Sequence, residues 1–469
     1  MHMVDTQTEG KFSRVLTTRD IFVLAFGAMV GWGWIIQSGY WIDQSGVTGT
    51  MLAFVLGAFM VAVVGLIYGE LASAMPFVGG EHVYSMRALG PIGSFICTWS
   101  LILGYVGVVV FEVVAFPSAL AYVVPGFNAI PLWSIAGQTV YGTWVLVGGV
   151  GAIVMTYLNY RGVRPAAQFQ TILTLVIALA GLTLAIGAVA NGHSTSTPPF
   201  AGSGMAGVLT VAIMTPFMFV GFDVIPQAAG EADVSERLLG LLIVVSVSVA
   251  ALFYILVIWA SGQALPGSAL VESPLPAAAA MEALFSSALI GKIMALAGIA
   301  GILTSWNAFL LGGSRAIYAL AESGMLPATL ATVDSETDTP SRALALIGGL
   351  SALAPLFGEQ MLIWIVNAGS FGIVLAWVMV VVSFLVLRVR EPEMDRPLKI
   401  PAGKAVGVLG LGLTLGFTAM YLPGAPSALQ WPFEWGIVFL WVVLGIGLVS
   451  QSRLAGDTAQ VEAHSVEGE

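Results

Sequence analysis

The chain consists of long apolar segments separated by short polar connections. A helix needs about 20 mostly apolar residues to cross the hydrocarbon core of a bilayer, and twelve segments approach or exceed that length. The predicted spans, numbered one to twelve along the chain, are 20–42, 50–75, 93–124, 140–159, 168–190, 206–228, 238–262, 288–318, 343–357, 362–388, 404–422 and 434–450. They predict an all-α integral membrane protein, with a segment, 1–19, before the spans and an acidic tail, 451–469, after them.

The lysines and arginines indicate how these spans are oriented. If the N-terminus is cytoplasmic, every base except Lys292 lies on a cytoplasmic connection or at a cytoplasmic end of a span, which is 15 of the 16. Cytoplasmic loops of membrane proteins carry an excess of Lys and Arg. We therefore expect a multi-pass protein of the cell membrane with both termini in the cytoplasm.

The composition argues against several other classes of protein. Hydrophobic residues make up 58% of the 469 residues and charged residues only 9%, with a mean hydropathy of +0.94. A net charge of −10 argues against a nucleic-acid-binding surface, which is normally basic. One cysteine, Cys97, and four histidines, none of them within a span, offer no metal cluster or nucleophile–base pair at membrane depth. We expect neither an enzyme nor a resident cofactor.

Two of the spans contain residues that break a helix. Span one has GAMVGWG at 27–33, and span six has GFDVIP at 221–226, with a glycine, a proline and the carboxylate of Asp223. Unwound backbone at membrane depth is tolerated where it lines a cavity, since its N–H and C=O groups need partners. Interrupted helices at equivalent places in two halves of a chain indicate a transporter built from inverted repeats. The span-one glycines by themselves are equally consistent with close helix packing.

Six local motifs, in the expected order, resemble those of the amino acid–polyamine–organocation (APC) superfamily of secondary transporters. They are GxxxGxG at 27–33, YGELASAMPFVGG at 68–80, GV at 162–163, FVGFD at 219–223, SRAIYALAESGMLP at 314–327 and RPLKIP at 396–401. The resemblance implies a LeuT-type fold with inverted five-helix repeats at 20–190 and 206–388, helices 1 and 6 broken, and two extra helices at 404–450. It also implies a permease that moves an amino acid or related amine by alternating access.

The same resemblance implies a substrate site at the two breaks. The residues it implies are Met29, Gly31, Trp32, Gly33, Phe217, Val220 and Phe222. The backbone at 31–33 would meet the substrate carboxylate, carbonyl groups near Met29, Phe217 and Val220 would meet its amino group, and the Phe217 ring would cover it. The chain departs from the family at Trp32, where a small residue is common. This departure weakens the assumption that the substrate is a simple α-amino acid.

Residues of span eight indicate a binding site for a coupling cation. The implied sodium ligands are the hydroxyl groups of Thr304 and Ser305 and the carbonyl groups of Gly27, Val30 and Gly301. In proton-coupled relatives a span-five lysine often fills this position, whereas this chain has Ile177 at the aligned place and no lysine in span five. Sodium is therefore slightly favoured over a proton as the coupling ion. In the alternative interpretation, both hydroxyl groups bond only to their own helix backbone.

Two carboxylates within the spans are candidates for gating, proton transfer or contact with a cationic substrate. A charge near the bilayer centre costs about 2.5 kcal/mol or more on insertion scales, so Glu112 in span three should face a cavity or carry a proton. The resemblance places Asp223 where an acidic residue is linked to gating and protons in related exchangers. The alternative for Glu112 is a neutral carboxyl bonded to a neighbouring helix. Glu70, at the inner end of span two, is expected to pair with a loop base or with the backbone.

Other functions stay open at this point. Aromatic rings near Asp223 suit a polyamine or other organic cation through cation–π attraction. An amino acid exchanger would use the same fold, and a membrane sensor could share it without transporting. The expected partners are a small-molecule substrate and the lipid bilayer, and the sequence predicts neither the identity of the substrate nor the oligomeric state.

Overall fold

The computed structural model describes residues 12–135, 137–193, 204–425 and 427–466. Its helices are α1 (Thr18–Met29), α2 (Gly33–Ile36), α3 (Ser38–Ala74), α4 (Glu81–Val123), α5 (Gly142–Tyr160), α6 (Val163–Asn191), α7 (Gly204–Met218), α8 (Val224–Gln227), α9 (Glu236–Ala264), α10 (Gly267–Glu272), α11 (Pro276–Phe285), α12 (Ala288–Glu322), α13 (Ser341–Ala352), α14 (Gly358–Arg390), α15 (Gly403–Met420) and α16 (Phe433–Val466). Two strands, β1 (Pro131–Ile135) and β2 (Gln138–Tyr141), form an antiparallel hairpin between α4 and α5. The ends of the predicted terminal segments, 1–11 and 467–469, lie outside the described residues.

Ten of the described helices are long and apolar enough to cross a membrane, which confirms the prediction of an all-α membrane protein. These ten coincide with predicted spans. The apolar segments at the other two predicted spans are shorter, Gly204–Met218 at span six and Ser341–Phe357 at span nine. The outer surface carries large apolar side chains such as Leu146, Ile153 and Ile172, each well over half exposed. Such a surface is suited to contact with lipid, because exposing many large apolar side chains to water is unfavourable.

Both predicted helix breaks are present. The helix α1 ends at Met29, Val30 leaves the helical conformation with a ψ of +64°, and α2 begins only at Gly33. In the second half, α7 ends at Met218 and α8 begins only at Val224. The connection at 219–223 is a series of turns in place of a continuous helix.

The start of span three differs from the prediction. The helix α4 begins at Glu81, not near 93, and it continues across a non-helical residue, Gly90, whose φ is +75°. Glycine adopts such a φ at little cost, so the kink does not end the helix. As a consequence Glu81, which the sequence places in a connection, is completely buried in the bundle.

The breaks lie in the interior of the bundle, beside α12. The helix α12 packs along α4 and α6, α3 packs along α7 and α9, and α4 also packs along α14. The first half of the broken span, α1, contacts α6, α9 and α12, while α8 contacts α1 and α12. Side chains and backbone from several helices therefore surround the unwound segments.

The alanine-rich segment 272–285 before span eight predicts a short helix lying on the outer surface, but the structure packs this segment into the protein. The helix is present as α11, and it lies against α9, α12 and α6. Its apolar face, with Met281 and Leu284, is buried. The alanine-rich sequence permits this close approach because alanine has the smallest side chain that still favours a helix.

Candidate substrate and ion site

The two helix breaks are in direct contact. Gly221 has a φ of +128°, and a β-carbon built on it would lie 2.5 Å from the β-carbon of Ala28 and 3.0 Å from the backbone nitrogen of Met29. A β-carbon on Gly33 would lie 2.8 Å from the sulfur of Met218. Glycine at these two positions lets the unwound segments approach, so the structure brings the predicted residues of spans one and six together.

Three backbone donors at the first break are free. Within the part of the chain that the structure describes, the N–H groups of Gly31, Trp32 and Gly33 have no hydrogen-bond acceptor. They follow the end of α1 and open α2, where a helix leaves such groups unpaired. An anionic ligand such as a carboxylate would satisfy them.

A tyrosine that the sequence did not single out joins the two breaks. The hydroxyl group of Tyr254, on α9, lies 2.9 Å from the carbonyl oxygen of Met29 and 3.3 Å from that of Met218, and is placed to donate to either. These carbonyls belong to the last residues of α1 and α7, so each has lost its helical partner. One of the carbonyl groups predicted for the substrate is thus already bound by the protein.

Glu112 and Ser305 meet at the first break. A β-carbon on Gly31 would lie 3.3 Å from Glu112 Oε1 and 3.4 Å from Ser305 Oγ. Glu112 is buried, and its other oxygen, Oε2, has no hydrogen-bond partner among the described residues. The sequence predicted that this carboxyl faces a cavity or carries a proton, and the structure places it beside the unwound segment.

The predicted sodium ligands also come together. A β-carbon on Gly301 would lie 3.1 Å from the carbonyl oxygen of Val30, and one on Gly27 would lie 2.9 Å from the β-carbon of Thr304. The Thr304 hydroxyl donates to the Gly301 carbonyl at 2.9 Å, which is the backbone bond of the alternative interpretation. The hydroxyl oxygen keeps lone pairs, so this bond does not prevent it from binding a cation.

A hydrogen-bonded chain of buried amide side chains lies next to these ligands, and the sequence did not single it out. Asn159 Nδ2 donates to Asn307 Oδ1 at 2.9 Å, and Asn307 Nδ2 donates to Gln170 Oε1 at 2.8 Å. Gln170 Nε2 then donates to the carbonyl oxygens of Val23 and Leu24 in α1, at 3.3 and 3.4 Å. Amide residues are conspicuous within apolar spans, and that was the available signal. The chain links α5, α12 and α6 to the first half of the broken span.

Asp223 is held by hydrogen bonds beside a cluster of rings. Its Oδ1 accepts from the Gly221 N–H at 3.1 Å and its Oδ2 accepts from Trp377 Nε1 at 3.1 Å. The Phe222 ring lies 5.3 Å, centre to centre, from both Tyr68 and Trp377 and is completely buried. Phe222 therefore packs between α3 and α14, on the side of the break that carries Asp223.

The remaining predicted site residues lie close to the break. The Trp32 ring packs against α12 at Gly298, where a β-carbon would lie 3.0 Å from Trp32 Cε3. Glycine on α12 therefore makes room for the large side chain that departs from the family pattern. The Phe217 side chain is half-buried at the end of α7. The Phe217 carbonyl oxygen accepts a hydrogen bond from the Val220 N–H at 3.3 Å.

Two buried acids outside the breaks, Glu70 and Glu231, have arginine partners. Glu70 forms ion pairs with Arg388 and Arg396, which confirms the expected structural role. Glu231 forms a buried pair with Arg315 at 2.8 Å. By contrast, no arginine or lysine is paired with Glu112 or Asp223 in the described part of the chain.

Comparison with known proteins decides the family. A family model described as "Amino acid permease" matches residues 16–446, which include both breaks and all the predicted site residues. The chain belongs to the amino acid permease family. Membership of the APC superfamily is thereby confirmed, as is the expectation of a transporter and not an enzyme.

Individual transporters match this permease over most of its length. The methylthioribose transporter of Bacillus subtilis (strain 168) is 26% identical over 452 residues, 95% of each chain. The branched-chain amino acid permease BcaP of that strain is 26% identical over 402 residues, 84% of this chain and 85% of BcaP. Its aspartate-proton symporter is 24% identical over 423 residues, 87% of this chain and 79% of the symporter. The permease is thus a multi-pass membrane protein that transports small molecules.

Proposed function

We propose that this permease is a cation-coupled symporter that carries an amino acid across the cell membrane by alternating access. The substrate carboxylate binds the free N–H groups at 31–33, and the ammonium group binds carbonyl groups of the second break, near Phe217 and Val220. Support comes from these complementary groups at one buried place, an arrangement that suits a zwitterion. Relatives named as a branched-chain amino acid permease and an aspartate-proton symporter also favour an amino acid.

The position of Glu112 supports a proton as the coupling ion. Its Oε1 lies 3.3 Å from where a β-carbon of Gly31 would be, so a substrate carboxylate on the Gly31 N–H comes within a few ångströms of it. Two carboxylates so close together in a buried site repel strongly. Substrate binding therefore requires a proton on Glu112, and release of one favours release of the other. This link is the basis of proton symport.

Sodium is the second candidate, and a specific observation favours it. Thr174 Oγ1 on α6 is buried without a hydrogen-bond partner among the described residues. It lies 3.1 Å from where a β-carbon of Gly27 would be, beside Thr304. With the hydroxyl groups of Thr304 and Ser305 and the carbonyls of the first break, it offers the hard oxygens that sodium prefers. In this case sodium would neutralise the first break and Glu112 would contact the substrate ammonium.

The helix contacts support two inverted five-helix repeats and twelve crossings. If α1–α2, α3, α4, α5 and α6 correspond to α7–α8, α9, α12, α13 and α14, the contacts α3 with α9, α4 with α12 and α5 with α13 each map onto themselves. The contact of α4 with α14 maps onto that of α12 with α6, and α4 with α5 maps onto α12 with α13. On this assignment the broken α7–α8 and the short segment 341–357 each cross the bilayer once. Both termini then lie on the same side, which the distribution of lysines and arginines indicates is the cytoplasm.

Transport in proteoliposomes tests the proposal. The purified permease is reconstituted, and uptake of a mixture of ¹⁴C-labelled L-amino acids is measured under a pH gradient, a sodium gradient or neither. Labelled putrescine and choline serve as amine substrates. We expect amino acid uptake driven by an inward proton gradient. Accumulation of only the amines, or exchange without response to either gradient, would contradict the symport proposal.

Variants separate the two ions. Glu112→Gln mimics the protonated acid, so it should bind substrate without the proton, and uptake should lose its response to the pH gradient. Thr304→Ala and Ser305→Ala should leave proton-driven uptake in place. If instead wild-type uptake responds to sodium and these two variants abolish that response, sodium is the coupling ion. Glu434→Gln, at a buried glutamate whose oxygens accept from Asn367 and the Gln430 N–H, is the matched control.

A further inference from the structure

The connection between α3 and α4 is held tightly against α8. The N–H of Gly79 donates to the Gln227 carbonyl at 3.2 Å, and Gln227 Nε2 donates to the Gly79 carbonyl at 3.4 Å. A β-carbon on Gly80 would lie 2.6 Å from the β-carbon of Pro226. Because α8 is the second half of the broken span six, this contact ties the connection to a segment that borders the substrate site.

Glu81, the first residue of α4, completes this contact from a fully buried position. Gln227 Nε2 donates to Glu81 Oε2. The other oxygen of each side chain, Glu81 Oε1 and Gln227 Oε1, is buried and has no hydrogen-bond partner in the described ranges. Both are acceptors when Glu81 is ionised, so neither can satisfy the other. A proton on Glu81 would supply the donor that this pair of side chains lacks.

The titratable groups around Glu81 also include none that carries a positive charge. The titratable groups that face it are the carboxyl of Asp223, the hydroxyls of Tyr68, Tyr84 and Tyr105, and the thiol of Cys97. Each of them is neutral or becomes negative on losing a proton. The buried arginines that the structure describes are paired with other acids, Arg315 with Glu231 and Arg396 with Glu70. A buried charge without a partner is costly, so the surroundings favour a neutral Glu81.

We propose that Glu81 is a proton-binding site that fastens the α3–α4 connection to α8. In the neutral acid, the O–H at Oε1 donates to Gln227 Oε1 while Gln227 Nε2 donates to Oε2, which satisfies both side chains. Loss of the proton to cytoplasmic water leaves a buried carboxylate opposite an acceptor oxygen, and the connection separates from α8 to hydrate it. The site is separate from Glu112. It rests on the proposed orientation, which places this connection on the cytoplasmic side, and does not depend on which substrate is carried.

Hydrogen exchange of the full chain in detergent, without substrate, tests the site. Exchange of peptides covering 75–84 is measured by mass spectrometry over a series of pH values and corrected for the intrinsic pH dependence of exchange. We expect protection to fall as pH rises, by up to about tenfold per pH unit, because opening releases one proton. Glu81→Gln keeps a neutral side chain and should remove this dependence, while Glu434→Gln should retain it.

Two results would overturn the proposal. One is wild-type protection of 75–84 that does not change with pH, and the other is a Glu81→Gln variant that keeps the wild-type slope. If Glu81→Gln fails to fold, infrared spectra provide a second measurement. The Glu112→Gln and Asp223→Asn variants should each keep a carboxylic-acid C=O band that disappears over the pH interval in which wild-type protection falls. Such a band supports a proton on Glu81, and absence of the band from these variants refutes the proposal. Because no substrate is present, failure here is distinct from failure of the symport proposal.

Discussion

The contact of α12 with the first break provides a stringent test of the site, because at Gly301 it joins backbone to backbone. A β-carbon on Gly301 would lie 3.0 Å from the carbonyl carbon of Gly31, 3.1 Å from the carbonyl oxygen of Val30, and closer still to the Gly31 oxygen. None of these atoms is the end of a flexible side chain. Gly301→Ala therefore has to push the unwound segment and α12 apart.

The expected magnitude follows from this overlap. Adding a methyl group to a tightly packed interior costs about 1–3 kcal/mol. The segment that moves carries the free N–H groups of Gly31 and Trp32, so the displacement falls on the proposed carboxylate site. If substrate stabilisation is reduced by the same amount, kcat/KM for uptake falls about 5- to 140-fold, since each 1.4 kcal/mol is a factor of ten.

The assay compares initial rates of uptake of labelled amino acids into proteoliposomes containing equal amounts of each variant. The matched control is Gly349→Ala in α13, where a β-carbon meets nothing within 4 Å. That change should leave uptake at the wild-type rate, because it only improves helix propensity, by about 0.8–1.0 kcal/mol. Wild-type kinetics for a correctly folded Gly301→Ala would refute the idea that α12 sets the position of the break.

Three further variants test neighbouring contacts. Gln170→Leu removes the acceptor of the Asn307 amide and should lower stability by about 1–3 kcal/mol, seen as a lower Tm of the purified protein; an unchanged Tm would show that the amide chain adds nothing. Glu70→Gln takes the charge from a buried ion pair and should cost about 3–5 kcal/mol, reducing the folded fraction in size-exclusion chromatography, and a normal yield would argue against that pairing. Tyr254→Phe removes the hydroxyl that bridges the carbonyls of Met29 and Met218, so uptake should fall while Tm changes little, and equal uptake would rule out a role for the bridge.

The helix breaks were predictable because their cause is local. Glycine at 31 and 33 and the Gly221–Asp223–Pro226 grouping each weaken a helix in a segment that is otherwise apolar throughout. The motifs that carry the family resemblance include both breaks, and the family match extends over 16–446. Glu112 was also recognisable, because a carboxylate within an apolar span is costly wherever its partners are.

The residues that the sequence missed are those whose partners lie far along the chain. Tyr254 reads as one aromatic residue among many in span seven until its hydroxyl is seen between Met29 and Met218. Glu81 reads as a residue of a connection because the predicted span three begins only at 93, whereas the helix continues back across the kink at Gly90. Its burial and its bond to Gln227 come from the packing of α4 against a segment almost 150 residues away.

The sequence by itself determined the membrane class, the family, the two helix breaks and the acids that had to be explained. It did so because the effects of hydropathy, charge and glycine depend on a residue and its near neighbours along the chain. Only the tertiary structure decided which of the buried acidic side chains form an ion pair with an arginine. Glu70 and Glu231 are paired with arginines, whereas Glu112 lies beside Gly31 and Glu81 beside Gln227. The free energy of a buried charge depends on what surrounds it in space, and those surroundings come from distant segments brought together by the fold.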